Sequence, residues 1–199
     1  MKTKGITTKE TILKAAFDFA GQFGFEALSI GKLADSVGLS KSGLFGHIKS
    51  KEKLQCMVLD YAAENYLRKV VKPVLKEPKG LPRVRAITQS WTKWVDDDLA
   101  GGCPLLAAAI EFDDRPGVVL DRVRFWYQQK IDFLVGACER AVSEGHLDAQ
   151  TDFKQMGSEL YSFMLGYHIY SRLLKDPNAK KRFLQAVDEL IKRHSTTIA

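Results

Sequence analysis

The 199-residue sequence predicts an all-α fold, with a helix-turn-helix head over residues 1–50 and a larger helical body over residues 51–199. Three observations carry that expectation. Apolar residues recur at helical spacing along most of the chain, and no useful run alternates apolar with polar residues as a strand would. Glycine and proline fall between the periodic stretches, at Gly24, Gly38, Pro73, Gly101–Gly102, Gly145 and Pro177. Residues 29–53 read as a short helix, a glycine-bearing turn, a second short helix and the capped start of a third, the arrangement that offers a recognition helix to a DNA major groove.

Each element has a local cause. Thr7 with Glu10 three residues later forms a capping box for helix one, whose apolar face is Ile12, Ala16, Phe19, Ala20 and Phe23. Ser29 caps helix two, where Ile30, Leu33, Ala34 and Val37 make one buried stripe and Leu28 staples to Leu33. Gly38 follows that stripe, where a left-handed residue closes a helix. Ser40 caps helix three, about 40–46, with Leu39 and Leu44 as its staple and Lys41, Ser42 and Gly43 in its first turn. Ser50 caps helix four, which carries Leu54, Val58, Tyr61, Ala62 and Leu67 and ends near Pro73.

Beyond the loop 73–82 the pattern stays helical. Val84, Ile87, Trp91, Trp94 and Val95 mark one helix, and Pro104 starts a short one through about Phe112. A long helix to about Glu144 carries Val119, Val123, Trp126, Tyr127, Ile131, Leu134 and Val135, and Gly145 stops it. Thr151 or Asp152 begins a helix through about Lys175 with Met156, Leu160, Phe163, Met164, Tyr167 and Leu174. Pro177 separates a last amphipathic helix bearing Phe183, Leu184, Val187, Leu190 and Ile191.

Composition narrows the function classes. With 45% hydrophobic residues, six prolines and fifteen glycines, the chain builds a core and is neither disordered nor fibrous. It has no apolar run of the roughly 18 residues that span a bilayer, and its first ten residues lack a secretory apolar stretch. Cys56, Cys103 and Cys138 are odd in number, widely spaced and without CxxC, which argues against a disulfide framework or a zinc site. A cytoplasmic protein without cofactor, metal or membrane partner is expected. Residues 1–55 hold nine lysines against Glu10, Asp18, Glu26, Asp35 and Glu52, a net +4 of the total +6. A basic end on a near-neutral body is the footprint of contact with a polyanion.

By position, Ser40, Lys41, Ser42 and Gly43 face the groove: Lys41 reaches guanine O6/N7, Ser42 is an undiscriminating donor and acceptor, and Gly43 permits close backbone approach. Ser29 and Ser40 are caps in any case, and Lys41 also reads as a solvated lysine.

The body concentrates aromatic residues. Trp94, Phe112, Trp126, Phe163 and Tyr167, with His168 as a polar handle, are the candidate lining of a cavity for a small, largely apolar effector; plain helical core is the other reading of the same residues. Cys103 reads as a small buried hydrophobe before it reads as a redox sensor. The carboxylates of Glu111, Asp113 and Asp114 read as a helix end and turn before they read as a metal site. No nucleophile–base frame, HExxH, Walker loop or glycine-rich dinucleotide turn is present, so an enzyme is not expected. A sequence-independent DNA binder is the alternative, distinguished by steep salt dependence and little operator preference.

Residues 7–55, with the frame G…LSI..LA..VGLSK..L..H..SKE.L, resemble the N-terminal domain of tetracycline-repressor family transcriptional regulators. Residues 101–117, GGCPLLAAAIEFDDRPG, are similar to a segment in one subgroup of those regulators. The resemblance implies a homodimeric repressor with two heads on a palindromic double-stranded DNA operator, an unidentified small-molecule effector, and dimerisation through the helices over 152–175 and 180–194. It implies phosphate contacts for Ser29, His47 and Lys51, although His47 also reads as a surface histidine. It places Phe45 where the family often has a tyrosine whose hydroxyl reaches a phosphate; phenylalanine lacks that donor.

Overall fold

The computed structural model describes residues 4–40, 44, 48–99 and 101–195, residues 4–8 by their backbone alone. Among these, all regular structure is helical: α1 (Lys4–Phe23), α2 (Ile30–Val37), α3 (Lys51–Tyr66), α4 (Leu81–Asp97), α5 (Pro104–Phe112), α6 (Val118–Ser143), α7 (Phe153–His168) and α8 (Ala179–His194). Wider i→i+5 turns extend α3 over Leu67–Val71 and α7 over Ile169–Leu173. None of these helices is long and apolar enough to cross a membrane. The chain divides into two compact units, each drawn from separate stretches: Met1–Asn65 with Leu99–Trp126, and Tyr66–Asp98 with Tyr127–Ala199.

In the first unit, α1 buries Ile12, Ala16, Phe17 and Ala20, while α2 buries Leu33 and Ala34. Phe23 belongs to the expected face of α1 but is 58% exposed, and its ring leans on Phe19 with centroids 4.8 Å apart. The helix ends at Phe23, and the turn behind it swings Phe25 into the core, where Phe25 meets the Phe112 ring edge-on at 6.2 Å. Thr7 does not cap α1, because the helix already runs from Lys4; nothing among residues 4–6 forces a stop before it. The other local signals act where their chemistry places them. Ser29 has extended φ/ψ and its Oγ accepts the Lys32 N–H at 3.2 Å; Gly38 sits at φ 68°, ψ 30° with its N–H on the Ala34 carbonyl; Ser50 Oγ accepts the Lys53 N–H at 3.1 Å.

The Gly101–Gly102 break packs against α1 within this unit. The Gly102 N–H donates to the Gly21 carbonyl, and a Cβ on Gly21 would stand 2.5 Å from the Gly102 oxygen. Only glycine permits two backbones to approach this closely.

In the second unit, α4 buries Val84, Ile87, Trp91, Trp94 and Val95 against α7 and α8, which contribute Met156, Leu160, Met164, Tyr167, Phe183, Val187, Leu190 and Ile191. Trp91 donates its indole N–H to the Met164 carbonyl at 3.0 Å, so this buried ring leaves no orphan donor. Asp152 caps α7, its Oδ1 accepting from the Lys154 and Gln155 N–H groups. Leu67 and Leu174, expected on buried faces, are 40% and 58% exposed. Leu67 opens one wide turn and Leu174 follows the other; both turns rotate the helix out of the register that a simple 3.6-residue repeat extrapolates. The first of them precedes Pro73, which has no donor and whose ring crowds the carbonyl four residues back.

Gly21→Ala forces the α1 and Gly102 backbones apart. It should lower unfolding stability by about 1–3 kcal/mol, the usual cost of overpacking, measured by urea denaturation against the parent chain.

Candidate functional site

Of the DNA-facing candidates, Ser29, Ser40 and Lys51 are among the described residues. Ser29 is exposed at the N-terminus of α2, where the first free N–H groups and the helix dipole favour an anion. Ser40 is exposed; its carbonyl accepts the Leu44 N–H at 3.0 Å, and the Leu44 carbonyl accepts the Ile48 N–H at 3.0 Å. Leu44 and Ile48 are fully buried in the first unit. Lys41, Ser42, Gly43, Phe45 and His47 lie outside the described residues.

Lys51 opens α3, and its ammonium is held by Glu26: Nζ donates to the Glu26 carbonyl at 2.8 Å and to Oε1 at 2.6 Å. Arg115 Nη1 donates to the other Glu26 oxygen at 2.9 Å, and the hydrogen bond from Lys51 holds the Glu26 carboxyl below its ordinary value. Glu111 accepts the backbone N–H groups of Phe25 and Glu26 at 2.9 and 2.8 Å, and the Gln55 amide donates to the Phe25 carbonyl at 3.1 Å. Of the acidic residues read as a turn or a metal site, Glu111 caps this corner and Asp113 Oδ1 accepts the Asp114 N–H at 2.9 Å.

The six residues proposed to line an effector cavity are distributed over both units. Phe112 and Trp126 belong to the first, where the Trp126 indole donates to Asp60 Oδ1 at 2.8 Å. Phe163 and Tyr167 line a surface groove of about 310 Å³ between α7 and α8 with Gly166, Tyr170, Arg182 and Phe183. The Tyr167 hydroxyl donates to the Asp96 carboxylate at 2.6 Å; burial and that bond raise the phenol above its ordinary value. Asp96 also accepts from Ser171 and pairs with Lys180. Trp94 and His168 are buried in the second unit.

The group that sequence reasoning missed is Lys130. It is only 9% exposed, and its ammonium lies 4.3 Å from the ring centroid of Trp91, 5.0 Å from Tyr161, 5.1 Å from Tyr66 and 5.8 Å from Tyr127. Trp91 and Tyr66 are buried and form a closed floor; Tyr127 and Tyr161 are half-buried, with their rings edge-to-face at 6.2 Å. Each ring face contributes about 0.5–2 kcal/mol to a nearby cation, against a burial penalty of several kcal/mol for the ammonium. The signal was available in α6: Lys130 occupies the apolar stripe between Val123 and Leu134, where a charge has no reason to sit unless something in the interior receives it.

His168 lies seven residues beyond Tyr161 and four beyond Met164, on the same face of α7. It is 8% exposed, and its Nδ1 has no hydrogen-bond partner. Desolvation first, then the positive charges of Arg172 and Lys130, push its imidazole down to about 4. Cys103 is buried, and burial pushes the Cys138 thiol up to about 12.

Residues 12–55 match the family described as bacterial regulatory proteins, tetR family, and residues 80–187 match the tetracyclin repressor-like C-terminal domain. No curated protein matches the chain. The fold is similar to that of a TetR transcriptional regulator from Chloroflexus aurantiacus, with a TM-score of 0.83 at 23% identity over 95% of this chain and 94% of that one. It is equally similar to a TetR-family regulator from Cytophaga hutchinsonii, with a TM-score of 0.83 at 17% identity over 99% of each chain. It is also similar to AibR, crystallised with isovaleryl coenzyme A and operator DNA, with a TM-score of 0.70 at 19% identity over 94% of this chain and 98% of that one.

The depressed imidazole has a consequence for stability. Between pH 6.5 and about 4 the unfolded chain binds a proton at His168 that the folded chain refuses, so stability is complete above 6.5 and falls as pH drops through that window. The loss amounts to roughly 3 kcal/mol by the time the folded imidazole titrates. His168→Leu should flatten the pH dependence of unfolding free energy across this window, measured by urea titration at a series of pH values.

Proposed function

The chain belongs to the tetracycline-repressor family of bacterial transcriptional regulators, and from that premise we propose a homodimeric cytoplasmic repressor, released from a palindromic operator by a small, largely apolar effector. Proteins of this family are transcriptional regulators and not enzymes. The observation that carries the reading is the head's turn geometry. Ser29 caps α2 with its side chain, and left-handed Gly38 ends that helix and sends the chain directly into Ser40. A helix closed by a left-handed glycine and followed closely by a serine is the turn that a groove-reading helix-turn-helix requires.

The proposal divides the labour along the chain. Residues 1–50 read DNA, and residues 51–199 bind the effector and the second copy. Ser40, Lys41, Ser42 and Gly43 meet base edges. Ser29, His47 and Lys51 meet phosphates, and Phe45 packs beside the backbone without a hydroxyl to donate. On reaching DNA, the Lys51 ammonium exchanges the Glu26 carboxylate for a phosphate oxygen, one anion for another.

The dimer face lies on the outer side of α7, α8 and the turn between them. Met156, Leu160, Met164, Phe183, Val187 and Leu190 are all buried within the chain, so a partner meets other residues. Ile169, Tyr170, Leu173 and Leu174 are exposed apolar side chains on that side, with the groove formed by Phe163 and Tyr170 adjoining them. Two-fold pairing there gives each operator half-site one head. AibR, with both an acyl coenzyme A and operator DNA bound, supports the pairing of small ligand and DNA within this fold. An effector that favours one of two conformations releases the operator by shifting their populations.

Two experiments test the proposal. In gel-shift titrations at fixed salt, a fragment flanking the protein's own gene should bind far more tightly than random DNA, and Lys41→Ala should cost about 1–3 kcal/mol on that fragment; equal affinity for both DNAs indicates a sequence-independent binder instead. In sedimentation at micromolar concentration the chain should run as a dimer, and Leu173→Glu should convert it to a monomer.

A further inference from the structure

At the start of α3 one carboxylate serves two cations. Lys51 Nζ lies 2.6 Å from Glu26 Oε1, and Arg115 Nη1 lies 2.9 Å from Oε2. The two cations are held differently. Lys51 reaches Glu26 on a flexible four-carbon stem, bonding the carboxylate and, at 2.8 Å, the carbonyl. Arg115 stands in the turn between α5 and α6, and Phe112 holds it at both ends. Its N–H donates to the Phe112 carbonyl at 3.1 Å, and its guanidinium lies over the Phe112 ring, 5.8 Å from the centroid. Phe112 is buried and meets the ring of Phe25, the residue before Glu26, edge-on. Arg115 and Glu26 are thus two ends of one packed circuit, and Lys51 is the arm free to swing out of it.

The surrounding charge gives Arg115 its task. Glu26, Lys51, Glu52 and Arg115 all line a cleft of about 240 Å³ at this corner of the first unit. With Lys51 in place, two cations face two carboxylates. Once Lys51 turns to a phosphate, Arg115 is the remaining cation of the four, and both carboxylates lie beside a polyanion. We propose that Arg115 is a positioning residue for DNA binding: it retains the Glu26 carboxylate when Lys51 leaves for a phosphate, so that the exchange sets no unpaired carboxylate against the DNA backbone. The guanidinium suits this role, because its planar fork can take up the carboxylate oxygen that Lys51 releases and bind both oxygens at once. The alternative, Arg115 touching a phosphate itself, would require it to give up both Glu26 and the Phe112 ring.

This deepens the reading of Lys51 as a phosphate contact and rests on that reading for the exchange step. The test uses the full-length protein and a labelled duplex of about 30 base pairs, starting near about 50 mM salt, where phosphate contacts carry affinity whatever the base sequence. Anisotropy across a salt series gives both the affinity and its salt slope. Arg115→Gln should weaken binding about five-fold, the upper reach of one exposed ion pair, and should keep the parent melting temperature. In a Glu26→Gln background there is no carboxylate to retain, and adding Arg115→Gln should change affinity by less than about two-fold, the non-additivity of residues that act as a unit. Lys51→Ala should lower the salt slope by about one per bound head, whereas Arg115→Gln should leave it unchanged. An equal loss in both backgrounds, or a lowered slope in Arg115→Gln, identifies a direct phosphate contact and overturns the proposal. Parent-like affinity in Arg115→Gln overturns it too. A loss in Lys51→Ala without one in Arg115→Gln refutes retention and leaves the Lys51 phosphate contact standing. Parent-like binding by Lys51→Ala, with an Arg115→Gln loss that vanishes in Glu26→Gln, refutes that contact and leaves retention of Glu26 standing.

Discussion

The corner between α1 and α2 is the constraint on which the first unit depends. The chain must turn within a few residues after Phe23, send Phe25 inward and arrive at Ser29 in position to cap α2. Such a turn leaves backbone N–H groups without helical partners. Glu111, 85 residues along the chain, supplies the acceptor for two of them, and Gln55 donates to the carbonyl between. A carboxylate bonding two backbone donors is among the stronger arrangements available to a partly buried group. The head is thus a composite, completed by residues 99–126 of its own unit.

That composition connects geometry to electrostatics. Glu26, fixed by its backbone N–H on Glu111, turns its side chain to Lys51 and Arg115 and so holds the cation at the start of α3 in place. These pairs are exposed, and each contributes little to stability. Their value is positional, because they keep Lys51 at the helix N-terminus with its charge available to another anion. In the second unit the same economy of charge takes an interior form. Asp96 is occupied by Tyr167, Ser171 and Lys180, Asp98 by Lys69 and Asp188 by Arg85, while Lys130 is given to ring faces.

How far the sequence foretold this depended on the range of each interaction. Ser29, Ser50 and Asp152 act on the backbone within three residues and Gly38 on the carbonyl four residues back, so local chemistry alone located the ends of α2, α3 and α7. The stripe of α4 was equally legible, since all five of its expected core residues are buried. Errors appeared where a distant segment decided. Phe23 lost its place to Phe25 because the corner is clamped by Glu111, and no periodicity in α1 reports that. Leu67 and Leu174 were misplaced because one wide turn shifts the phase of every residue after it. Aromatic density along the body does not distinguish core rings from rings gathered around a charge, as those around Lys130 are. A charged residue in a helix's apolar stripe was the more specific signal, because burial of a charge demands a partner, whereas burial of an aromatic ring demands only space.

The proposed two-fold pairing of basic heads calls for a two-fold DNA sequence, and the most direct measurement is selection of fragments from the genomic DNA of the source organism by the purified protein, followed by sequencing of the bound pool. The bound pool should be enriched in one palindrome whose half-sites lie about 34–36 Å apart along the duplex or a multiple of that spacing. A bound pool with no shared two-fold sequence would contradict it.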